Sequence, residues 1–206
     1  MKKYELLKDD TIQLANKTLY RIKAIKNFGG IKAGTLGGYI QSEDNLSHDG
    51  NAWVRDNAVV CDKAIVRDSA VICCDAEIRD NAVIRDNAWI CNNARICDNA
   101  IIRDSAMIRG NAEICDNAII RDSAMIRGNA RICGKRDYIY FRGFGSEYRH
   151  TTMYRTDVEI CVSCGCFHST LDEFAAQVAK KHFDNKFAKE YELCIELAKL
   201  HFYEEE

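Results

Sequence analysis

The sequence predicts an all-β solenoid, a three-sided parallel β-helix with eighteen residues per coil, followed by a small C-terminal α+β module. Residues 51–134 divide without a gap into fourteen hexads, in which the second residue is always alanine and the fourth is always valine or isoleucine. The stretch DNAIIRDSAMIRGNA at 98–112 recurs letter for letter at 116–130, an offset of three hexads. A six-residue period fits neither an α-helix nor a hairpin, but it fits a short strand and a corner repeated three times per coil.

The pattern divides the chain into an N-terminal β cap at 1–36, the solenoid at 37–134 and the C-terminal module at 135–206. In the cap we expect strands at 4–7 and 11–25 with a turn at the intervening KDD, because the open edge of the first coil needs a lid. In the module, alternation over 138–164 predicts a small antiparallel sheet with turns at 141–145 and 155–157. Helices are predicted over 171–183, after a capping box formed by Thr170 and Glu173, and over 186–202.

Composition excludes some classes of partner. The net charge of −2 argues against nonspecific binding to nucleic acid. The chain has no apolar run long enough to cross a bilayer, and the opening MKKYELLKDD lacks the apolar core of a signal peptide. We therefore expect no membrane partner, a cytoplasmic location and eleven cysteines that are mostly free thiols.

The hexads resemble those of hexapeptide-repeat proteins, and the resemblance implies a left-handed β-helix that is commonly a homotrimer. More narrowly, TLYRIKAIKNFGGIKAGTLGGYIQSEDNLSHDGNAWV at 18–54 and GCFHSTLDEF at 165–174 look like the YdcK-like proteins of enterobacteria and prophages. Together with the repeat between them, these stretches span most of the chain.

Stacking of the hexads gives each face of the solenoid its own outward row. The second face alternates glutamate and arginine and is predicted to face solvent. The first and third faces carry apolar rows, which need a cover and are predicted to form an oligomer interface. These interface residues are Trp53, Trp89, Met107 and Met125 on the first face, and Ile65, Val83, Ile101 and Ile119 on the third.

Two sets of arginines are candidates for binding a ligand or partner. Arg67, Arg85, Arg103 and Arg121 form a row on the third face, each followed by an aspartate. They either bind phosphates or pair with those aspartates, and pairing is the preferred interpretation. The second set mixes arginine, histidine and tyrosine, a combination that can hold a phosphate and stack a base, although an aromatic core with solvated arginines explains it better. Its members are Arg142, Tyr148, Arg149, His150, Tyr154 and Arg155.

Catalytic and metal-binding candidates are weaker, and we assign no catalytic residue and no metal. His48 and His150 are possible general bases, and Cys166 with His168 is a possible nucleophile and base before a helix. Cys161, Cys164, Cys166 and His168 have plausible zinc spacing but crowd into eight residues. Cys97, Cys115 and Cys133 form one column of the second face, where thiols could bind a soft metal or oxidise, although small strand residues explain them better.

The sequence therefore favours a non-catalytic oligomeric binding protein over an enzyme. Its C-terminal arginine and aromatic surface would bind a host protein or a phosphorylated, nucleotide-like ligand, and the prophage resemblance implies a counter-defence role. One alternative is an acyltransferase of the hexapeptide-repeat class using acyl-CoA, although residues 51–134 have no inserted loop and no histidine. The other is a purely structural scaffold. No cofactor is predicted unless the acyltransferase alternative holds.

Overall fold

The computed structural model describes residues 1–203 and shows a β-solenoid of about five coils. The predicted fold class is confirmed: parallel strands of two residues recur every six residues, and each face of the coil is a separate parallel sheet. The first face holds β4 (Trp53–Val54), β7 (Val71–Ile72), β10 (Trp89–Ile90), β13 (Met107–Ile108) and β16 (Met125–Ile126). The second face holds β5 (Val59–Val60), β8 (Glu77–Ile78), β11 (Arg95–Ile96), β14 (Glu113–Ile114) and β17 (Arg131–Ile132). The third face holds β6 (Ile65–Val66), β9 (Val83–Ile84), β12 (Ile101–Ile102) and β15 (Ile119–Ile120).

The solenoid core consists of the fourth residue of every hexad. These valines and isoleucines, from Val54 to Ile132, are fully buried, and the alanines of the second position fill the space beside them. The in-register pairing places like residues on top of one another, as with Ile90 between Ile72 and Ile108. Each strand donates its N–H groups to the next coil, for example from Trp89 N to Ala106 O at 2.9 Å.

The corners are built by aspartates in the left-handed backbone region. Corner aspartates have φ between +51° and +63°, a conformation that a short polar side chain tolerates better than a bulky one. Their carboxylates accept backbone N–H groups from the next coil, as from Asp104 N to Asp86 Oδ2 at 3.2 Å. Asparagines at the following position form parallel amide ladders, such as Asn93 to Asn111 at 3.0 Å.

The N-terminal cap extends the second face of the solenoid. A hairpin of β1 (Tyr4–Leu14) and β2 (Lys17–Ala24) continues into β3 (Leu36–Ile40), which pairs in parallel with β5. The predicted turn at KDD is wrong, because β1 runs through these residues with a register shift. The reversal falls instead at Ala15 and Asn16, both at positive φ, inside the stretch predicted as one strand. A 3₁₀ turn (Glu43–Asn45) follows β3.

The C-terminal module is a four-stranded antiparallel meander packed against two helices. Its elements are β18 (Tyr138–Phe144), β19 (Arg149–Arg155), β20 (Ile160–Cys164), β21 (Phe167–Thr170), α1 (Leu171–His182) and α2 (Lys186–Tyr203). Both helices match their predicted ranges closely, and Thr170 caps α1 by accepting Glu173 N at 3.1 Å. The turn predicted at 141–145 is shifted, because β18 continues to Phe144 and the reversal follows it. Neither helix of the described chain has the length and hydrophobicity needed to cross a membrane.

The module closes the open end of the solenoid with side-chain hydroxyls. Met125 N and Arg127 N lie in the last coil of the first face, where no further coil supplies carbonyl oxygens. Met125 N donates to Thr152 Oγ1 at 2.9 Å, and Arg127 N donates to Tyr154 Oη at 3.1 Å. Because buried backbone donors need acceptors, β19 is held against the end of the solenoid.

Truncation of one buried isoleucine should be costly. We expect Ile108→Ala to lower the free energy of unfolding by about 2–5 kcal/mol, because a well-packed column cannot collapse into the gap. Chemical denaturation followed by circular dichroism measures this change. The exposed Lys63→Ala is the control and should stay within about 0.5 kcal/mol of wild type; equal effects in the two variants would contradict the stacked core.

Buried thiols should make the fold sensitive to alkali. Burial raises the pKa of Cys61 from an ordinary 9.0 to about 12, with the Asp62 carboxylate adding to the effect. The unfolded chain thus loses this proton at lower pH than the folded chain, so the stabilisation is complete below about pH 9 and lost as pH rises towards 12. Between about pH 9 and 10, wild type should lose about 1 kcal/mol more than Cys61→Ala. Urea denaturation at both pH values measures the difference, and the exposed Cys166→Ala should behave as wild type.

Candidate functional site

A cleft that contains three of the predicted ligand-binding residues lies between the C-terminal module and the first face of the solenoid. Its volume is about 400 Å³. Met107 and Met125 form an apolar floor, and Tyr148, Arg149 and His150 line the opposite side. We call this space the module cleft. The cleft is formed where the module covers the end of the first face, so the module and the solenoid each contribute part of its lining.

The turn before β19 and the first two residues of that strand present Tyr148, Arg149 and His150 to the cleft. Gly145 and Tyr148 both have positive φ, and Tyr148 N donates to Gly145 O at 3.2 Å. The turn is fastened to α2, since Gly145 N donates to Glu190 Oε2 at 2.9 Å. A Cβ on Gly145 would lie 2.2 Å from Tyr191 Oη, so only glycine allows this approach. Tyr148 is left 74% exposed beside the cleft.

Arg149 is the arginine that lines the module cleft. Its side chain packs against Gly165, and it lines both the module cleft and a second cavity of about 330 Å³ inside the module. That second cavity also contains Phe174, Lys181 and Tyr191. Within residues 1–203, Arg149 has no ion pair with a carboxylate, whereas all four arginines in the row on the solenoid's third face do. An unpaired guanidinium at the edge of a cleft is a natural anion ligand.

Two residues predicted to bind a ligand are structural. Tyr154 is fully buried, and burial raises its pKa to about 12. Its hydroxyl takes part in the end closure described above and contacts Ser163 and His168. Arg155 pairs with Asp137 at 3.5 Å, donates to Phe202 O at 2.7 Å and lies over the Phe202 ring. Arg142 is exposed on β18, outside the cleft, so Tyr148, Arg149 and His150 are the members that the structure brings together.

The arginine row of the third face is paired, as the preferred interpretation predicts. The four arginine–aspartate distances are 3.8, 3.0, 3.5 and 3.6 Å along the row, for Arg67, Arg85, Arg103 and Arg121 with Asp68, Asp86, Asp104 and Asp122. Each guanidinium thus has a neighbouring carboxylate. The row is therefore a weaker anion site than Arg149.

The apolar rows are partly covered within one chain. Trp53, predicted at an oligomer interface, is only 1% exposed because Phe28 and Tyr4 of the cap lie against it. Met107 and Met125 lie under the module. Tyr138 covers the end of the third face, and its hydroxyl donates to Ile119 O at 2.9 Å. Trp89, Ile65, Val83 and Ile101 stay outside these covers.

The two candidate histidine bases have other partners in the structure, and the four candidate zinc ligands do not assemble around one point. His48 is engaged in the cap, where its ring stacks on Tyr4 and contacts Glu43 at 3.3 Å. His150 contacts the Tyr140 hydroxyl. Cys161 and Cys164 lie on opposite faces of β20, since Cys161 packs on the solenoid core and Cys164 belongs to the module core. They therefore cannot share one metal ion.

Other cysteines do come together in the solenoid. Cys115 and Cys133 form a disulfide in one column of the second face, which corrects the expectation of free thiols for this pair. Among the described residues, two groups bring three thiol or carboxylate ligands within 4.8 Å of one another, Asp56 with Cys73 and Cys74 and Asp80 with Cys97 and Asp98, and the disulfide sulfurs of Cys115 and Cys133 lie equally close to Asp116. The other nine cysteines are free.

Sequence reasoning missed two arginines beside the module. Arg109 and Arg127 are the fifth residues of the two SAMIRG hexads, in which glycine replaces the usual aspartate. Neither has a carboxylate partner within residues 1–203. The missing aspartate was visible in the sequence, but the approach of His168 to this corner was not.

No protein-family model matches the chain, and no curated protein is similar to it.

Proposed function

We propose that the protein is a non-catalytic binding protein, in which the solenoid is a rigid support and the module cleft binds a phosphorylated small molecule with a planar ring. The observation that carries this proposal is Arg149, an arginine without a carboxylate partner at the edge of a cleft with a methionine floor. The cleft volume of about 400 Å³ falls in the range of small-molecule sites.

The chemistry of the cleft walls suits a ligand with two different ends. Met107 and Met125 offer a polarizable apolar surface to a ring, and the exposed Tyr148 offers a face for stacking. Arg149 and His150 lie at the same opening and supply donors for a phosphate. A nucleotide is the ligand class that combines these features. A host protein carrying a phosphate or an aromatic–acidic segment is the other partner that this surface fits.

The alternatives have less support. For an acyltransferase, the two candidate bases are His48, engaged by Glu43 and Lys3, and His150, which contacts Tyr140. No observation in the structure favours acyl-CoA over another ligand. A purely structural scaffold does not account for the cleft or for the unpaired Arg149. A counter-defence role remains the proposal that follows from the prophage resemblance.

We further propose that the solenoid self-associates through its third face. Ile65, 40% exposed, continues into Val83 and Ile101 as an apolar row that the chain itself does not cover. Trp89 on the first face is 47% exposed. A repeated row presents the same surface to each copy, which suits a closed trimer.

Replacement of Arg149 should weaken ligand binding. We expect Arg149→Gln to reduce affinity for the bound nucleotide by about tenfold or more, because one charge-assisted hydrogen bond is lost. Native mass spectrometry with a panel of purine and pyrimidine mono-, di- and triphosphates identifies the ligand, and calorimetry measures its affinity. Arg142→Gln, an exposed arginine outside the cleft, is the matched control. No nucleotide binding, or an equal loss in the two variants, would refute the proposed cleft function.

A charge on the third face should break the oligomer. We expect Ile65→Asp to convert the assembly to monomers with an intact circular dichroism spectrum, because burial of an unpaired carboxylate in an interface has a large free-energy cost. Light scattering coupled to size-exclusion chromatography measures the mass. Arg95→Gln on the second face should leave the mass unchanged, and a wild-type monomer would contradict self-association.

A further inference from the structure

The corner that follows the first face differs from the other two corners of the solenoid. The second and third faces end their hexads in aspartate at every complete coil, up to Asp116 and Asp122. The first face ends them instead in Asp56, Cys74, Asn92, Gly110 and Gly128. The acidic residue is therefore absent after the first coil, and the two coils nearest the module have no side chain at this position.

The aspartates show what this corner of the backbone binds. Within each aspartate row, the carboxylate of one coil accepts the backbone N–H of the corner residue in the next coil. The distances are 3.4, 3.3 and 3.2 Å on the second face and 3.2, 3.2 and 3.0 Å on the third. The first face begins in the same way, since Cys74 N donates to Asp56 Oδ2 at 3.0 Å. The row of corner N–H groups is thus a row of carboxylate-binding donors.

A corner glycine keeps this property. Gly134 ends the last hexad of the second face, and its N–H donates at 2.8 Å to the carboxylate of Asp137, a residue outside the repeat. The N–H of this corner glycine is thus also bound by a carboxylate, although the carboxylate comes from outside the row. Gly110 and Gly128 have no such acceptor in the described part of the chain: no hydrogen bond is made by either N–H.

The arginines at the same corner also lack anions. Arg109 and Arg127 lie in successive coils, and each is followed by glycine where Arg103 and Arg121 have a paired aspartate. The Nε of Arg127 is buried without a hydrogen-bond partner, and its Nη2 contacts only Met125 Sδ and, at 3.3 Å, Gly165 O. Burial, followed by repulsion from Arg109, lowers the pKa of Arg127. Two guanidinium groups that repel each other beside unpaired N–H groups favour an anion between them.

These groups open onto one groove. It has a volume of about 420 Å³ and is lined by Asn92, Arg109, Gly110, Arg127, Gly128 and His168. His168 reaches it from β21, with its Nε2 held 3.0 Å from Tyr154 Oη. Burial and the two arginines lower the pKa of His168, so at neutral pH the two arginines carry the positive charge.

We propose that this groove binds the phosphate group of a small molecule, with Arg109 and Arg127 as charged donors and the N–H groups of Gly110 and Gly128 as neutral donors. Two positive charges match a phosphate dianion better than a single carboxylate. This site lies at the edge of the first face opposite the module cleft and does not depend on the function proposed for that cleft.

Titration of glycine-labelled protein with inorganic phosphate tests the proposal. The chain has twelve glycines, so selective ¹⁵N labelling gives a spectrum in which Gly110 and Gly128 can be assigned by substitution. At constant ionic strength, phosphate should shift these two resonances saturably, whereas Gly134, already bound by Asp137, should not move. The shifts should require about tenfold more phosphate in Arg109→Gln and remain as in wild type in Arg103→Gln, its ion-paired counterpart on the third face.

A second variant blocks the groove from within. Gly128 has φ of +65°, close to the corner aspartates, and a Cβ there would meet His168 Cε1 at 3.3 Å. Because its backbone conformation matches that of the corner aspartates and the contact with the His168 side chain needs only a small shift, Gly128→Asp should fold, pair its carboxylate with Arg127 and abolish the phosphate response at Gly110. Absence of saturable shifts in wild type, an equal response in Arg109→Gln and Arg103→Gln, or tighter binding of acetate than of phosphate would each overturn the proposal. The first two outcomes would reject the anion site, and the third would make it a carboxylate site.

Discussion

The structure depends on hydrogen bonds between coils, in which backbone N–H groups of each coil donate to carbonyl oxygens of the coil that follows. Trp89 N has Ala106 O and Met107 N has Ala124 O, but the last coil has no successor. The chain meets this need with Thr152 and Tyr154, whose hydroxyls accept the N–H groups of Met125 and Arg127. Docking of the C-terminal module is thus a backbone requirement, and the module cleft is formed by the same contact.

The corners impose a second constraint, which involves charge. A left-handed corner residue is best supplied by aspartate or glycine, and aspartate brings a carboxylate that binds both the next N–H and the preceding arginine. Arg85 with Asp86 shows the complete arrangement. Glycine satisfies the backbone conformation and leaves the N–H and the arginine without their anion. The SAMIRG hexads therefore keep the fold while they change the electrostatics of one corner, and such departures from a local rule are where function is expected.

The sequence was sufficient for the features that repeat and for the features that are local. Hexad positions predicted which residues stack inside, and the Thr170 cap and helical spacing predicted both helices. Contacts between segments that are distant in the sequence could not be predicted. Trp53 looked like an interface residue because nothing in its hexad reveals that Phe28 covers it. Tyr154 was predicted to bind a ligand because the sequence does not show its actual partner. That partner is the backbone N–H of Arg127, which lacks an acceptor in the solenoid because the last coil ends beside β19. The bulge in β1 carries charged residues on an exposed strand, and composition there favours a turn.

Arg127 connects the two proposed sites. Its backbone N–H fixes Tyr154, its Nη2 reaches Gly165 O, and Arg149 of the module cleft packs against the same Gly165. A substitution of the Arg127 side chain would therefore change both the groove and the contact with Gly165 that supports Arg149, and its effect could not be assigned to one of them. The side chain of Arg109 makes no hydrogen bond or ion pair within the described residues and lies one coil away from the junction, so loss of its charge should change the groove alone. The distinction matters because the closure satisfies backbone donors of the last coil, whereas the Arg109 guanidinium takes part in no such contact within residues 1–203.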